Sequence, residues 1–187
     1  MRSKTAAWFV CKIRYEQTQE NGTQKKVTEQ YVVEALTFTE AEKRIVEEME
    51  PFFKGEFEIL DISRAPFGEV FFMAIGDKVL ANETEKMKRA MKEGGTAAME
   101  QYEKKVDWNP DNADTRWYKV RIQVVTLDEK TEKERRTSFT YLVEGCSLES
   151  ARQNTDRVFG QTMFDYVIAG VNETKVVEVF EYRKEEE

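Results

Sequence analysis

The residues of this chain with types and spacing suited to chemistry are aromatic and cationic, and they come in two matched sets. Trp8 is followed along alternate positions by Lys12 and Arg14, and Trp117 by Lys119 and Arg121. Alternate side chains of a strand share a face. Each set therefore puts an indole and two cations on one side of a sheet, with Lys25-Lys26 and Arg135-Arg136 at the start of the neighbouring strand extending each patch. A ring flanked by Lys and Arg on an open sheet suits single-stranded nucleic acid, because any base stacks on the ring while the cations follow the phosphates. Two copies would lengthen the track. An architectural reading stands beside this one: Trp8 and Trp117 cover a sheet edge or pack between copies, and Lys12 or Arg121 pairs across strands with Glu34 or Glu144.

Catalytic patterns are absent by comparison. The chain contains no histidine, which removes the usual general base, the commonest metal ligand and every Ser-His-Asp or Cys-His arrangement. The stretch "KEGGTAAME" lacks the preceding strand and the spacing of a phosphate loop. Asp107, Asp111 and Asp114 lack the glycine and terminal glutamate of a calcium loop and read as an ordinary turn. Cys11 and Cys146 form neither a CxxC motif nor a disulfide framework, and both are expected to be reduced. No enzymatic activity, metal or cofactor is expected.

The elements that must position the tryptophans and cations are themselves repeated. "WFVCKIRY" from Trp8 lies over "WYKVRIQV" from Trp117, and "YVVEALTFTEA" from Tyr31 over "YLVEGCSLESA" from Tyr141. Further on, Glu69-Val70-Phe71 recurs as Glu178-Val179-Phe180. Colinear matches at near-constant offset identify a tandem duplication. In the first copy residues 8–15 and 26–35 have strand character, with Asn21-Gly22 turning the chain between them. Thr37 caps a helix with Glu40 completing a capping box, and the helix ends at Pro51 here and at Gly160 in the second copy. Residues 57–64 and 68–73 supply two more strands.

The expected fold is therefore α+β: a tandem ββαββ duplication with antiparallel sheet or sheets, one helix per repeat and a pseudo-two-fold relation. The repeats span 1–73 and 116–182. Between them lies a charged insert, 74–115, with helical stretches over 83–93 and 96–105, and residues 183–187 form an acidic tail.

The blocks "TAAWFVCKIRYEQT…KKVTEQYVVEALTFTEAEKRI" and "RWYK…TYLVE…DYVIA" resemble a family of domains of unknown function found in Bacteroidetes and their phages. The resemblance covers both copies. It implies a bacterial or phage setting and brings no activity, substrate or binding residue with it.

Bulk properties narrow the partners. A net charge of −7, from 36 acidic and 29 basic residues, opposes wholesale attraction to nucleic acid or anionic membranes but leaves room for a local basic face. The N-terminal stretch lacks a signal peptide's apolar run, and no segment approaches the ~20 apolar residues of a membrane span. A cytoplasmic location without membrane attachment is expected. Two functions remain open: a non-enzymatic module binding single-stranded nucleic acid through an open sheet face, or an interaction or structural module whose partner is another protein or a second copy of the chain. The acidic balance favours the second and the repeated Trp-plus-cation strands favour the first.

Overall fold

Alternating aromatic and β-branched residues build a long hairpin in the first repeat, β1 (Ala7–Thr18) and β2 (Gln24–Ala35), paired antiparallel from Ala7↔Ala35 to Thr18↔Gln24. Its turn relies on Gly22, whose φ of 80° lies in the left-handed region, and on the Asn21 side chain, which accepts from the Thr23 N–H at 3.0 Å. The computed structural model describes residues 6–53, 55–73, 115–128, 133–160 and 162–182. The expected helices at 83–93 and 96–105, the turn carrying Asp107, Asp111 and Asp114, and the acidic tail lie outside the described residues.

Helix α1 (Phe38–Met49) starts at Thr37, whose hydroxyl accepts from the Glu40 N–H at 3.2 Å. The Glu40 carboxylate reaches back to the Leu36 N–H at 2.7 Å, one residue before the cap. Ala41, Ile45 and Met49 recur at helical spacing and are buried against the sheet. Strand β3 (Phe57–Arg64) then pairs antiparallel with β1, with a register shift at Lys12/Ile13, and β4 (Glu69–Phe71) follows. The second repeat gives β5 (Arg116–Asp128), β6 (Lys133–Gly145), α2 (Leu148–Phe159, capped by Ser147), β7 (Asp165–Glu173) and β8 (Val176–Phe180). The register shift recurs in β5 at Arg121/Ile122. The α+β tandem ββαββ architecture is thus present, with two helices and two four-stranded sheets among the described residues.

The sheets do not each contain one repeat. Strand order is β3-β1-β2-β8 in one and β4-β6-β5-β7 in the other, so each sheet takes its fourth strand from the other repeat. The compact units follow the sheets: Met1–Glu69 with Lys175–Glu187, and Val70–Thr174. The repeats and the compact units therefore do not coincide. The exchange also corrects the expectation of purely antiparallel sheets, because β8 runs parallel to β2. A strand joined by a tight hairpin must run antiparallel. One arriving from the other repeat has no such turn to fix its direction.

Each unit has its own core between helix and sheet. Cys11, Ile13, Tyr31, Val33, Ile45 and Met49 cluster in the first, with Phe180 of β8 packed against them. Tyr118, Val120, Ile122, Val143 and Ala151 cluster in the second, with Phe71 of β4 in the corresponding place.

Candidate functional site

Trp8 and Trp117 lie on the sheet face opposite α1 and α2, as their strand positions require, but both are buried, at 6% and 3% exposure. Trp8 is registered opposite Glu34 and Trp117 opposite Glu144, and these glutamates are buried too. Phe72 meets the Trp117 ring edge-on at 5.2 Å. The carbonyls of both tryptophans are bound in the same way, by the N–H of Ala65 and of Thr174, each at 2.9 Å. In this conformation neither ring offers a face to a base. The stacking role expected of them does not fit this burial.

The cations divide between the units. In the first, Lys12 stands opposite Asp61 at 3.9 Å, and Arg14 contacts Glu58 at 2.8 Å through Nη2 and 3.3 Å through Nε. Both pairs cross from β1 to β3, so the sheet face is charge-matched along its middle. The expected partner Glu34 is not used by Lys12; its carboxylate accepts from the Tyr182 N–H at 3.0 Å. In the second unit Arg121 occupies the place of Lys12, but the residue across from it on β7 is Gly170 where the first unit has Asp61. Val167 likewise replaces Glu58. Lys119 lies between Leu142 and Asn172. Lys119 and Arg121 are both exposed, and no acidic side chain pairs with either among the described residues. The glycine is not demanded by space, since an added Cβ at Gly170 would meet only the Asn172 amide nitrogen, at 3.9 Å.

The dibasic pairs extend this face by only one member each. Register places Lys26 opposite Glu16 and Arg136 opposite Val125, on the faces opposite α1 and α2. Their neighbours Lys25 and Arg135 point to the other side, because successive residues of a strand must. Arg136 also approaches Glu134 at 3.8 Å. All four are exposed. The polar groups that share the face with Lys119 and Arg121 are Gln123, Ser138, Thr140 and Asn172.

A second feature lies in the first unit. A cleft of about 1100 Å³ opens beside the loop that follows α1, lined among others by Arg14, Tyr15, Phe52, Phe53, Phe57 and Glu58. Phe53 bridges the rings of Tyr15, at 4.4 Å, and Phe57, at 5.5 Å, while Phe52 is 73% exposed. The Tyr15 and Tyr31 hydroxyls both donate to Glu29, at 3.0 and 2.7 Å. Burial first, and then the Glu29 carboxylate, pushes both phenols above their ordinary value. Sequence reading missed this cluster because Glu29 is only one of many acids until the register sets it between two tyrosines.

Among the described residues no group of three His, Cys, Asp or Glu is arranged to hold a metal, and no buried side-chain polar atom lacks a partner. No helix among them is long and apolar enough to cross a membrane. The model of a family described as a domain of unknown function (DUF4494) matches residues 7–102 and, a second time, residues 81–182. No curated protein matches the chain.

Proposed function

We propose that this chain, which belongs to the DUF4494 family, is a non-catalytic binding module whose contact surface is the face of its second unit's sheet opposite α2. The ligand that suits this face is single-stranded nucleic acid gripped by its phosphates, without base stacking on the tryptophans. One observation carries the reading: Arg121 is exposed and stands across from Gly170, and no acid among the described residues pairs with it or with Lys119, whereas its counterpart Lys12 in the first unit faces Asp61. Side chains two apart on a strand stand about 7 Å from each other, so the two cations can serve successive phosphates while Thr140 and Asn172 offer hydrogen bonds. A repulsive net charge of −7 makes such binding depend on this local face, and makes it steeply sensitive to salt. The test is a titration of fluorescent single-stranded oligonucleotides at two salt concentrations. Binding that weakens with salt supports the reading, and no binding at low salt ends it.

A protein partner is favoured by a different observation, the aromatic cleft of the first unit with Phe52 exposed at its rim. Exposed rings over an aromatic floor are the usual anchors of protein contacts. A Phe52→Asp variant that loses a binding partner or a self-association, with oligonucleotide affinity unchanged, would select this second reading.

A further inference from the structure

Each sheet contains a slot beside its second strand that is filled from the other repeat, and the two slots hold the same tripeptide. Along β2 the slot receives Glu178-Val179-Phe180, and along β6 it receives Glu69-Val70-Phe71. The valines, Val179 and Val70, are buried. Phe180 stacks on Tyr31 at 6.2 Å, and Phe71 packs on Tyr141 at 5.3 Å. Two residues beyond each phenylalanine a backbone N–H meets a buried carboxylate: Tyr182 on Glu34 at 3.0 Å, and Met73 on Glu144 at 2.9 Å. The carbonyls of those two glutamates are held in turn from the helices, by Arg44 at 2.7 Å and Asn154 at 2.9 Å.

We propose that these slots are strand-acceptor sites for a Glu-Val-Phe segment, and that the slot along β2 also takes β8 of a second copy of this chain. The contacts are those of strand addition, in which main-chain hydrogen bonds give affinity and alternating side-chain pockets give selectivity. Both slots already accept a strand that is not contiguous with the rest of their sheet. The β8 segment is short, lies at the sheet edge and pairs only along Gln30 to Val33. It is joined to β7 through Thr174 and Lys175 alone. Its ladder to β2 spans only Gln30 to Val33, so release of β8 leaves the rest of the sheet in place, and a second chain offers an identical strand to the vacated slot. Occupancy from within the chain prevails at low concentration because its own strand is tethered, and exchange between chains grows with concentration. This inference is independent of the nucleic-acid reading.

The test mixes two full-length variants, Gln30→Cys and Val176→Cys, with Cys146→Ser in both. Positions 30 and 176 are register partners, and neither variant alone carries both thiols. Under mild oxidation the mixture should give a disulfide-linked heterodimer whose fraction rises in step with protein concentration while the dimer is the minor form. A peptide spanning residues 175–182 should suppress it. A single chain carrying both cysteines serves as the control that the geometry permits the bond. The proposal is overturned if that control bridges internally while the mixture gives no heterodimer, or if the heterodimer forms regardless of the peptide.

Discussion

Replacing Trp117 by alanine should cost stability rather than binding. The ring is 3% exposed and sits edge-on to Phe72 at 5.2 Å. Truncating a buried tryptophan removes its transfer free energy and leaves a void, together about 3–5 kcal/mol. At roughly 2–4 °C per kcal/mol for a chain of this size, the melting temperature should fall by about 6–20 °C. Trp8→Ala, at 6% exposure, should behave alike. The assay is thermal melting followed by circular dichroism, paired with an oligonucleotide titration on the folded variant well below its transition. A ring that stacked bases would behave in the opposite way, with melting unchanged and about 1–3 kcal/mol of binding lost. A Trp117→Ala variant melting within about 2 °C of wild type would refute the burial argument.

Other outcomes follow from particular contacts. Glu34→Ala leaves the Tyr182 N–H without its carboxylate acceptor and should cost about 1–3 kcal/mol. Hydrogen exchange should then show protection lost chiefly along β8. Burial, and secondarily Asp61, pushes the Cys11 thiol up to about 12, while Cys146 is only partly buried. A thiol reagent at pH 8 should therefore find one reactive cysteine in the native protein and a second only on unfolding; equal rates would contradict this. Cys11 and Tyr31 hold their protons more tightly folded than their ordinary values of 9.0 and 10.0 allow. Their contribution to stability is whole below about pH 9 and falls above it, by about 1.4 kcal/mol per pH unit for each group whose unfolded form has ionised. Urea melts at pH 8 and pH 10.5 measure the difference. Thr37→Ala removes the α1 cap and should cost about 1 kcal/mol, read from the same melts.

Local chemistry made much of this fold legible. Thr37 with Glu40, and the phase of Phe9, Cys11 and Ile13 under the helix, follow from capping and from period-two alternation. The strand at 57–64 appears with those bounds. What the sequence concealed is non-local. The recurrence of Glu-Val-Phe marked a repeated strand, yet nothing in a strand's own pattern names the sheet it joins. The burial of Trp8 and Trp117 was hidden for the same reason, since their alternation fixes a face but not what covers it. A signal did exist for the slots: Glu34 and Glu144 each interrupt an apolar run, "YVVEA" and "YLVEG". A carboxylate kept twice inside a strand destined for burial needs a donor, and here the donor is the backbone of the incoming strand. The cation face required the alignment of β7 on β5, because the repeat sets Gly170 over Asp61 but only that register puts Gly170 across from Arg121.

The most direct measurement is a reciprocal exchange of that one position. Gly170→Asp would set an acid beside Arg121, where the space around the Cβ admits it, and Asp61→Gly would uncover Lys12 in the first unit. Single-stranded oligonucleotide affinity should be measured at low salt for both variants and wild type, with melting curves taken in parallel. If the unmatched cations of the second unit hold phosphates, Gly170→Asp should abolish most of the binding and flatten its salt dependence, while Asp61→Gly should strengthen it. Equal affinity for all three proteins, or no binding by any of them, would contradict the proposed function.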